Sequence, residues 1–232
     1  MMKEYEGKIV DIHDLTKTVK NYVIELNEDM DFKAGQFINI SFEENEQRFM
    51  KPYSIASNPK SDRKIELCIK LVEGGKLTPV LFEKEIGFKM KVRGPLGLFT
   101  LDHAEEKDKV VFIGAGTGIS PLRSMIKHMF KEGTDKEVLL ILGIRYENEI
   151  LFEEEFDKLE EENPNFKFIK VISKPTDKWD GRTGHVQDNM EMIDPINSQF
   201  YVCGLELMIQ GVREKLEEMG VTKEQVHFER YV

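Results

Sequence analysis

Up to about residue 101, apolar and polar side chains alternate in short runs. The stretches 5–12, 18–26, 36–42, 51–57, 64–71 and 89–93 follow this period of two, with turn residues between them, as expected of strands with one buried face. One segment, Leu77 to Ile86, breaks the alternation and reads as a helix. Six short strands with mainly local connections predict a small antiparallel β-barrel. From about residue 108 the period changes. A short apolar strand at 109–113 precedes a helix over 120–130, whose Leu122, Met125, Ile126 and Met129 share one face. Strand 137–142, helix 149–162, strand 166–172, helix 185–192, strand 199–203, helix 206–219 and strand 225–231 follow. Strands alternating with helices predict βαβ units and a parallel sheet. The acidic span from Glu153 to Glu162 fits the solvated face of a helix that turns Leu151, Phe152, Phe156 and Leu159 inward. The pattern therefore predicts two domains, a β-barrel followed by an α/β unit.

Composition narrows the function. The chain has 232 residues, 40% hydrophobic and 33% charged, the balance of a globular protein with a heavily charged surface. No run approaches 18 apolar residues, so no membrane span is expected. The net charge of −10 argues against nucleic acid as a general partner. The first residues carry no apolar segment of the secretory kind, and a cytoplasmic location is expected. The two cysteines, Cys68 and Cys203, are far apart and are expected to be free thiols. They are too few for an iron–sulfur cluster, and the five scattered histidines show no metal-site spacing. No metal is expected.

The strongest chemical signal is Gly114-Ala115-Gly116-Thr117-Gly118, between an apolar strand and a helix that opens with Ser120-Pro121. Glycines at alternate positions let backbone amides approach an anion, and the helix N-terminus adds partial positive charge. Pro121 stands in the first turn, where its missing N–H costs nothing. The spacing differs from the commonest dinucleotide fingerprint, but the strand–loop–helix context predicts a phosphate site. Where that fingerprint has an acidic residue for the ribose, the next strand here ends at Arg145, with Lys174 ending the strand after it. Cations there suit a 2′-phosphate and tilt the expectation from NAD toward NADP. Pairing of Arg145 with the glutamates nearby is the alternative.

Residues 51–59, Lys-Pro-Tyr-Ser-Ile-Ala-Ser-Asn-Pro, pose a separate question. Pro52 cannot donate to a ladder, so it argues against a central strand, and Asn58-Pro59 marks a turn. The run is either an edge strand with a half-buried tyrosine or a strand laid against a flat ligand.

Read with the rest of the chain, the run gains a context. Lys51-Pro52-Tyr53-Ser54, the strand Leu67-Cys68-Ile69-Lys70, Gly75-Lys76-Leu77-Thr78, the glycine loop through Pro121, Tyr201-Val202-Cys203-Gly204 and Phe228-Glu229-Arg230-Tyr231 occur in this order. Together they resemble the ferredoxin–NADP reductase superfamily of FAD-dependent enzymes, over essentially the whole chain. The resemblance implies a FAD-binding barrel at 1–103 and an NAD(P)-binding α/β domain at 104–232. It implies that Tyr53 lies against the isoalloxazine ring, that Ser54 bonds flavin N5 and that Lys51 and Pro52 belong to the same motif. Cys68, Ile69 and Lys70 would line the FAD, and Gly75, Lys76, Leu77 and Thr78 would meet its pyrophosphate. Gly114, Gly116, Thr117, Gly118 and Pro121 would hold the coenzyme phosphates. Cys203 and Gly204 would pack near the nicotinamide with Glu229 close by, so Ser54, Cys203 and Glu229 are the expected catalytic set. Cys203 suits positioning better than nucleophilic attack.

Two features depart from the family's pattern. Lys51 stands where an arginine is usual, a point charge instead of a bidentate fork, and Arg48 offers a second cation. Val232 follows Tyr231 where plant-type members often place an aromatic residue over the flavin. The expected function is hydride transfer from NAD(P)H to FAD and onward to a separate acceptor, such as ferredoxin, flavodoxin or an oxygenase component. A flavin reductase that treats free flavin as substrate, and a non-catalytic nucleotide-binding subunit of a larger redox complex, are the alternatives. Colour separates the first two, since a protein that retains FAD is yellow.

Overall fold

The computed structural model describes residues 3–60 and 62–231; Val232 lies outside them. The chain divides into two compact units, Met1–Leu101 with Arg123–Glu132, and Asp102–Leu122 with Gly133–Val232.

The first unit is one curled antiparallel sheet. Its strands are β1 (Lys3–Thr16), β2 (Val19–Leu26), β3 (Phe37–Glu44), β4 (Gln47–Ser54), β5 (Lys64–Lys70) and β6 (Lys89–Leu96), in the order β4-β3-β6-β1-β2-β5. Alternation puts Ile38 and Ile40 of β3, Ile65, Leu67 and Ile69 of β5 and Val92 of β6 into a single core with Tyr22, Ile24 and Phe49. β4 begins earlier and ends sooner than its alternation predicts. A hairpin at Asn45-Glu46, both in the left-handed region, sets its register against β3 from Gln47 to Ser54. It ladders with β3 alone, and on such an edge strand the missing amide of Pro52 is tolerated. Past the strand, the Ile55 amide donates to Gln36 O at 3.0 Å and the Ala56 amide to Glu66 O at 2.8 Å. The second bond ties the two sheet edges together. The helix expected from Leu77 to Ile86 is one short turn, α1 (Thr78–Phe82).

The second unit is a six-stranded parallel sheet, β7 (Lys109–Ala115), β8 (Glu137–Ile144), β9 (Phe166–Ile172), β10 (Arg182–Thr183), β11 (Ser198–Leu205) and β12 (Val226–Tyr231), in the order β10-β9-β8-β7-β11-β12. Every pairing is parallel. Such strands are buried on both faces and read as continuous apolar runs, as Val110 to Ile113 and Leu140 to Leu142 do. The helices are α2 (Ile119–Lys131), which runs on into the residues counted with the first unit, α3 (Glu153–Glu162) and α4 (Glu206–Glu218). α3 packs on β9, and α4 on β11 and β12.

The expected helix 185–192 is absent. Val186 to Asp188 make one 3-10 turn. The Asp188 carboxylate accepts from the His185 amide, and the Asn189 side-chain amide donates to Thr183 O and His185 O, both at 2.9 Å. These side-chain bonds take the place of helix propagation. Helix α3 likewise starts at Glu153 and not at 149, because Phe152 is left-handed at φ 56°. Elsewhere in this unit His227 stacks on His103 at 4.8 Å and on Tyr201 at 5.1 Å, and Tyr201 packs on Phe112 at 5.6 Å. No helix among the described residues is long and apolar enough to cross a membrane.

Candidate active site

In the first unit, β4 presents its motif on two faces. Lys51 pairs with Ile40 and Tyr53 with Ile38, so both side chains lie on the core side of the sheet. Tyr53 is half-buried and packs on the core cluster, and burial pushes its phenol pKa up. Lys51 and Pro52 are exposed, and Ser54 is buried on the other face. On β5, Cys68 and Lys70 alternate with core residues, Cys68 buried and Lys70 exposed. Ile69 is 1% exposed inside the core, so only its backbone is left for a ligand. The segment 71–77 folds back on itself. The Gly75 amide donates to Val72 O at 2.9 Å, and the Val72 amide donates to Thr78 Oγ1 at 3.0 Å. A Cβ on Gly75 would stand 2.9 Å from Val72 O, so the turn needs glycine. Lys76 is exposed, while Leu77 is buried in the core. The unit thus carries a half-buried aromatic ring, hydroxyls at Ser54 and Thr78, and exposed ammonium groups at Lys51, Lys70 and Lys76, residue types that suit a flat ring carrying a pyrophosphate. FAD fits them.

In the second unit, β7 ends in the glycine loop and a 3-10 turn at Gly116–Gly118 leads into α2. Gly116 is left-handed at φ 53°, and a Cβ there would meet nothing within 4 Å, so the loop's outer side has room for an anion. Gly118 is confined. A Cβ on it would lie 2.3 Å from Cys203 O and 3.0 Å from Gly204 Cα. The Ser120 hydroxyl donates to Thr117 O at 2.8 Å and closes the turn; Gly114 and Pro121 are buried behind it. The strand ladder sets Cys203 beside Glu229, Gly204 beside Arg230 and Leu205 beside Tyr231. Cys203 is fully buried. Burial first, and then the Glu229 charge, push its thiol pKa well up against a hydrogen bond to Tyr231. It stays a thiol, which suits packing and not attack.

Beyond these strand ends opens a cavity of about 850 Å³, lined among others by Ala115, Arg145, Gln187, Leu207, Arg230 and Tyr231. It lies where doubly wound sheets bind nucleotides, outside the carboxyl ends of the strands. Arg145 is exposed there, its guanidinium 5.4 Å from the Tyr146 ring centre. Glu147, the nearest glutamate in sequence, is occupied by the Thr176 amide and hydroxyl at 2.6 and 2.9 Å. Gln187, Leu207 and Arg230 escaped sequence reasoning as lining residues. Gln187 and Leu207 follow the ends of β10 and β11, and Arg230 is the second-last residue of β12, and these positions at the strand ends were the available signal. Among the described residues no group of three or more His, Cys, Asp or Glu is placed to hold a metal.

Comparison with known proteins matches residues 6–101 to the oxidoreductase FAD-binding domain and residues 112–214 to the oxidoreductase NAD-binding domain. The chain is 30% identical to ferredoxin–NADP reductase B of Sorangium cellulosum, over 98% of this chain and 97% of that protein. It is also 30% identical to the phenol hydroxylase P5 protein of Acinetobacter pittii, over 100% of this chain and 67% of that one. Among solved structures, the Amycolatopsis cytochrome P450 reductase GcoB superposes with a TM-score of 0.90 at 25% identity, over 99% of this chain and 70% of that one. A ferredoxin NADP⁺ reductase from Neisseria gonorrhoeae with bound FAD and NADP superposes at 0.88, over 98% of each chain at 21% identity, and shares the fold.

Proposed function

The chain belongs to the ferredoxin–NADP reductase superfamily, and from that premise we propose that it draws electrons from NADPH and delivers them to a small separate redox protein. It is an NAD(P)H-dependent flavoprotein reductase. The acceptor we infer is a ferredoxin or the electron-accepting component of an oxygenase, the systems named for its relatives. The observation that carries the coenzyme reading is the glycine loop locked on Cys203 and Gly204 beside a cavity that holds an exposed Arg145.

When bound, FAD would supply the redox chemistry that links the coenzyme's hydride to the acceptor's electrons. The protein supplies geometry. Tyr53 offers a face for the flavin ring and Ser54 a hydroxyl for its N5 edge. Lys51, Lys70 and Lys76, with the Gly75–Thr78 turn, offset the charge of the pyrophosphate. Gly116 and Thr117 receive the coenzyme phosphates, and Arg145 meets the 2′-phosphate. Cys203 packs beside the nicotinamide, and Glu229 holds a negative charge near it. Cys68 and Cys203, both buried and in no disulfide, fit a reducing compartment, and we place the protein in the cytoplasm.

The test is an absorption spectrum of the purified protein, followed by anaerobic titration with NADPH and NADH and then by addition of a ferredoxin. Bound flavin that bleaches at lower NADPH than NADH, and recolours with ferredoxin, is expected. A colourless protein that reduces only added free flavin would make it a flavin reductase. Absence of NAD(P)H oxidation with flavin present would make it a non-catalytic subunit.

A further inference from the structure

The chain leaving β4 at Ile55–Asn58 is buried yet is no longer part of a strand. Ile55 and Ala56 are 0% exposed and Ser57 3%. Buried carbonyls outside a ladder need donors. Two consecutive residues of α2 supply them. Arg123 Nη1 donates to Ala56 O at 2.9 Å, and Ser124 Oγ donates to Ser57 O at 2.6 Å. The guanidinium is itself buried, with Arg123 4% exposed, and its charge is met by Glu66 Oε2 at 2.8 Å. Asn21 Nδ2 donates to the same oxygen at 2.8 Å. Glu66 closes the ring through its backbone, its amide donating to Ser57 Oγ at 3.2 Å and its carbonyl accepting from Ala56 N. All of these residues belong to the first unit. Burial alone would raise the Glu66 pKa, but the Arg123 charge, the Asn21 amide and Lys127 hold it below the ordinary value.

We propose that Arg123 is a positioning residue for flavin reduction: clamped between Glu66 and the Ala56 carbonyl, it fixes the chain two residues beyond Ser54 and so holds Tyr53 and Ser54 in register with FAD. This rests on the reading that Tyr53 and Ser54 face FAD. A buried ion pair adds little net stability and an apolar replacement of equal volume often does better. What the pair supplies here is direction, a charged donor that answers one carbonyl in one place. Ala56 O is two residues from Ser54, so its freedom becomes freedom of the hydroxyl, and ångström-scale misplacement costs large factors in rate.

The test compares Arg123→Ala, Arg123→Lys and Glu66→Gln in the full FAD-loaded chain. Hydrogen exchange read by mass spectrometry over residues 53–58 is the first readout and needs no turnover. Arg123→Ala should speed exchange there by about tenfold or more, the effect of losing a charge-assisted bond, while β1 and β2 keep wild-type protection. The second readout is the rate of flavin reduction at saturating coenzyme, expected to fall by about tenfold with the coenzyme KM changed less than about twofold. Arg123→Lys should recover part of both, since a lysine keeps the charge and can still reach one acceptor. Glu66→Gln should fall between them. Exchange that rises uniformly over the sheet, or a lower melting temperature with an unchanged reduction rate, would make the clamp purely structural and overturn the proposal. Should Arg123→Ala not fold, wild-type exchange and rate in both Arg123→Lys and Glu66→Gln would overturn it equally. A wild-type chain that binds no FAD would sink the functional reading instead, and the exchange pattern would still report on the clamp.

Discussion

Gly118→Ala tests the proposed coenzyme site most directly. The added methyl carbon would stand 2.3 Å from Cys203 O, 2.7 Å from Cys203 C and 3.0 Å from Gly204 Cα. Ordinary contact begins near 3.4 Å, so loop and strand end must part by roughly 1 Å. All three neighbours are backbone, and no side chain can swing aside. Overpacking of this kind costs about 1–3 kcal/mol, or a fall of roughly 3–10 °C in melting temperature. The same displacement moves Thr117 and Gly116 away from Cys203 and Gly204, and a 1 Å error in placing a substrate costs up to about a hundredfold in rate. Gly116→Ala is the control. Its Cβ meets nothing within 4 Å, but its φ of 53° is left-handed, so about 1 kcal/mol of backbone strain is expected without a clash. Calorimetry and coenzyme kinetics on both variants give the comparison. Gly118→Ala should lose more stability than Gly116→Ala, and both should bind coenzyme poorly, the second because its methyl occupies the anion's space. A Gly118→Ala protein that melts no lower than Gly116→Ala and turns over normally would refute the interlock of loop and strand.

Arg145→Ala should raise the KM for NADPH by roughly ten- to a hundredfold, the worth of a charge-assisted contact, and barely change that for NADH; equal effects would return Arg145 to the surface. Lys51→Arg should tighten FAD by about 1 kcal/mol through a two-bond contact with phosphate, and Lys51→Ala should weaken it in a salt-sensitive way. Fluorescence titration at low and high salt decides this, and wild-type affinity of Lys51→Ala at low salt would make Lys51 a bystander. Burial first, and then His103, hold the His227 pKa below the ordinary histidine value, against an opposing pull from Glu106. The unfolded chain therefore takes up a proton more readily than the folded one, so this contribution is whole above about pH 6.5 and shrinks as the pH falls below it. Protonation would also occupy the His227 Nε2 that lies 2.7 Å from Gln199 Nε2. Denaturation midpoints between pH 7 and 5 should fall more steeply in the wild type than in His227→Gln, and parallel curves would discount the histidine.

The amino-acid sequence by itself determined the two architectures. Side-chain period is a local property of a strand or a helix, so the switch from alternation to apolar runs separated by helical spacing was readable from residue to residue. The glycine loop was equally legible, because only glycine admits the approach that Gly118 makes to Cys203 and Gly204. The tertiary structure decided what depends on partners distant in sequence. Val186 and Met190 carry helical spacing, yet Asp188 and Asn189 spend their side chains on nearby backbone and stop the helix after one turn. Pro52 is compatible with either an edge strand or a ligand-facing strand, and the ladder to β3 alone makes β4 an edge, with Tyr53 half-buried against the core. Ile69, chosen for its place in a motif, turned its side chain inward because strand register gives alternate residues to the core. Arg123 and Glu66 stand 57 residues apart, and nothing local marks either one. A buried charge finds its partner only when the fold brings it, so the clamp behind Ser54 was invisible until the chain was folded.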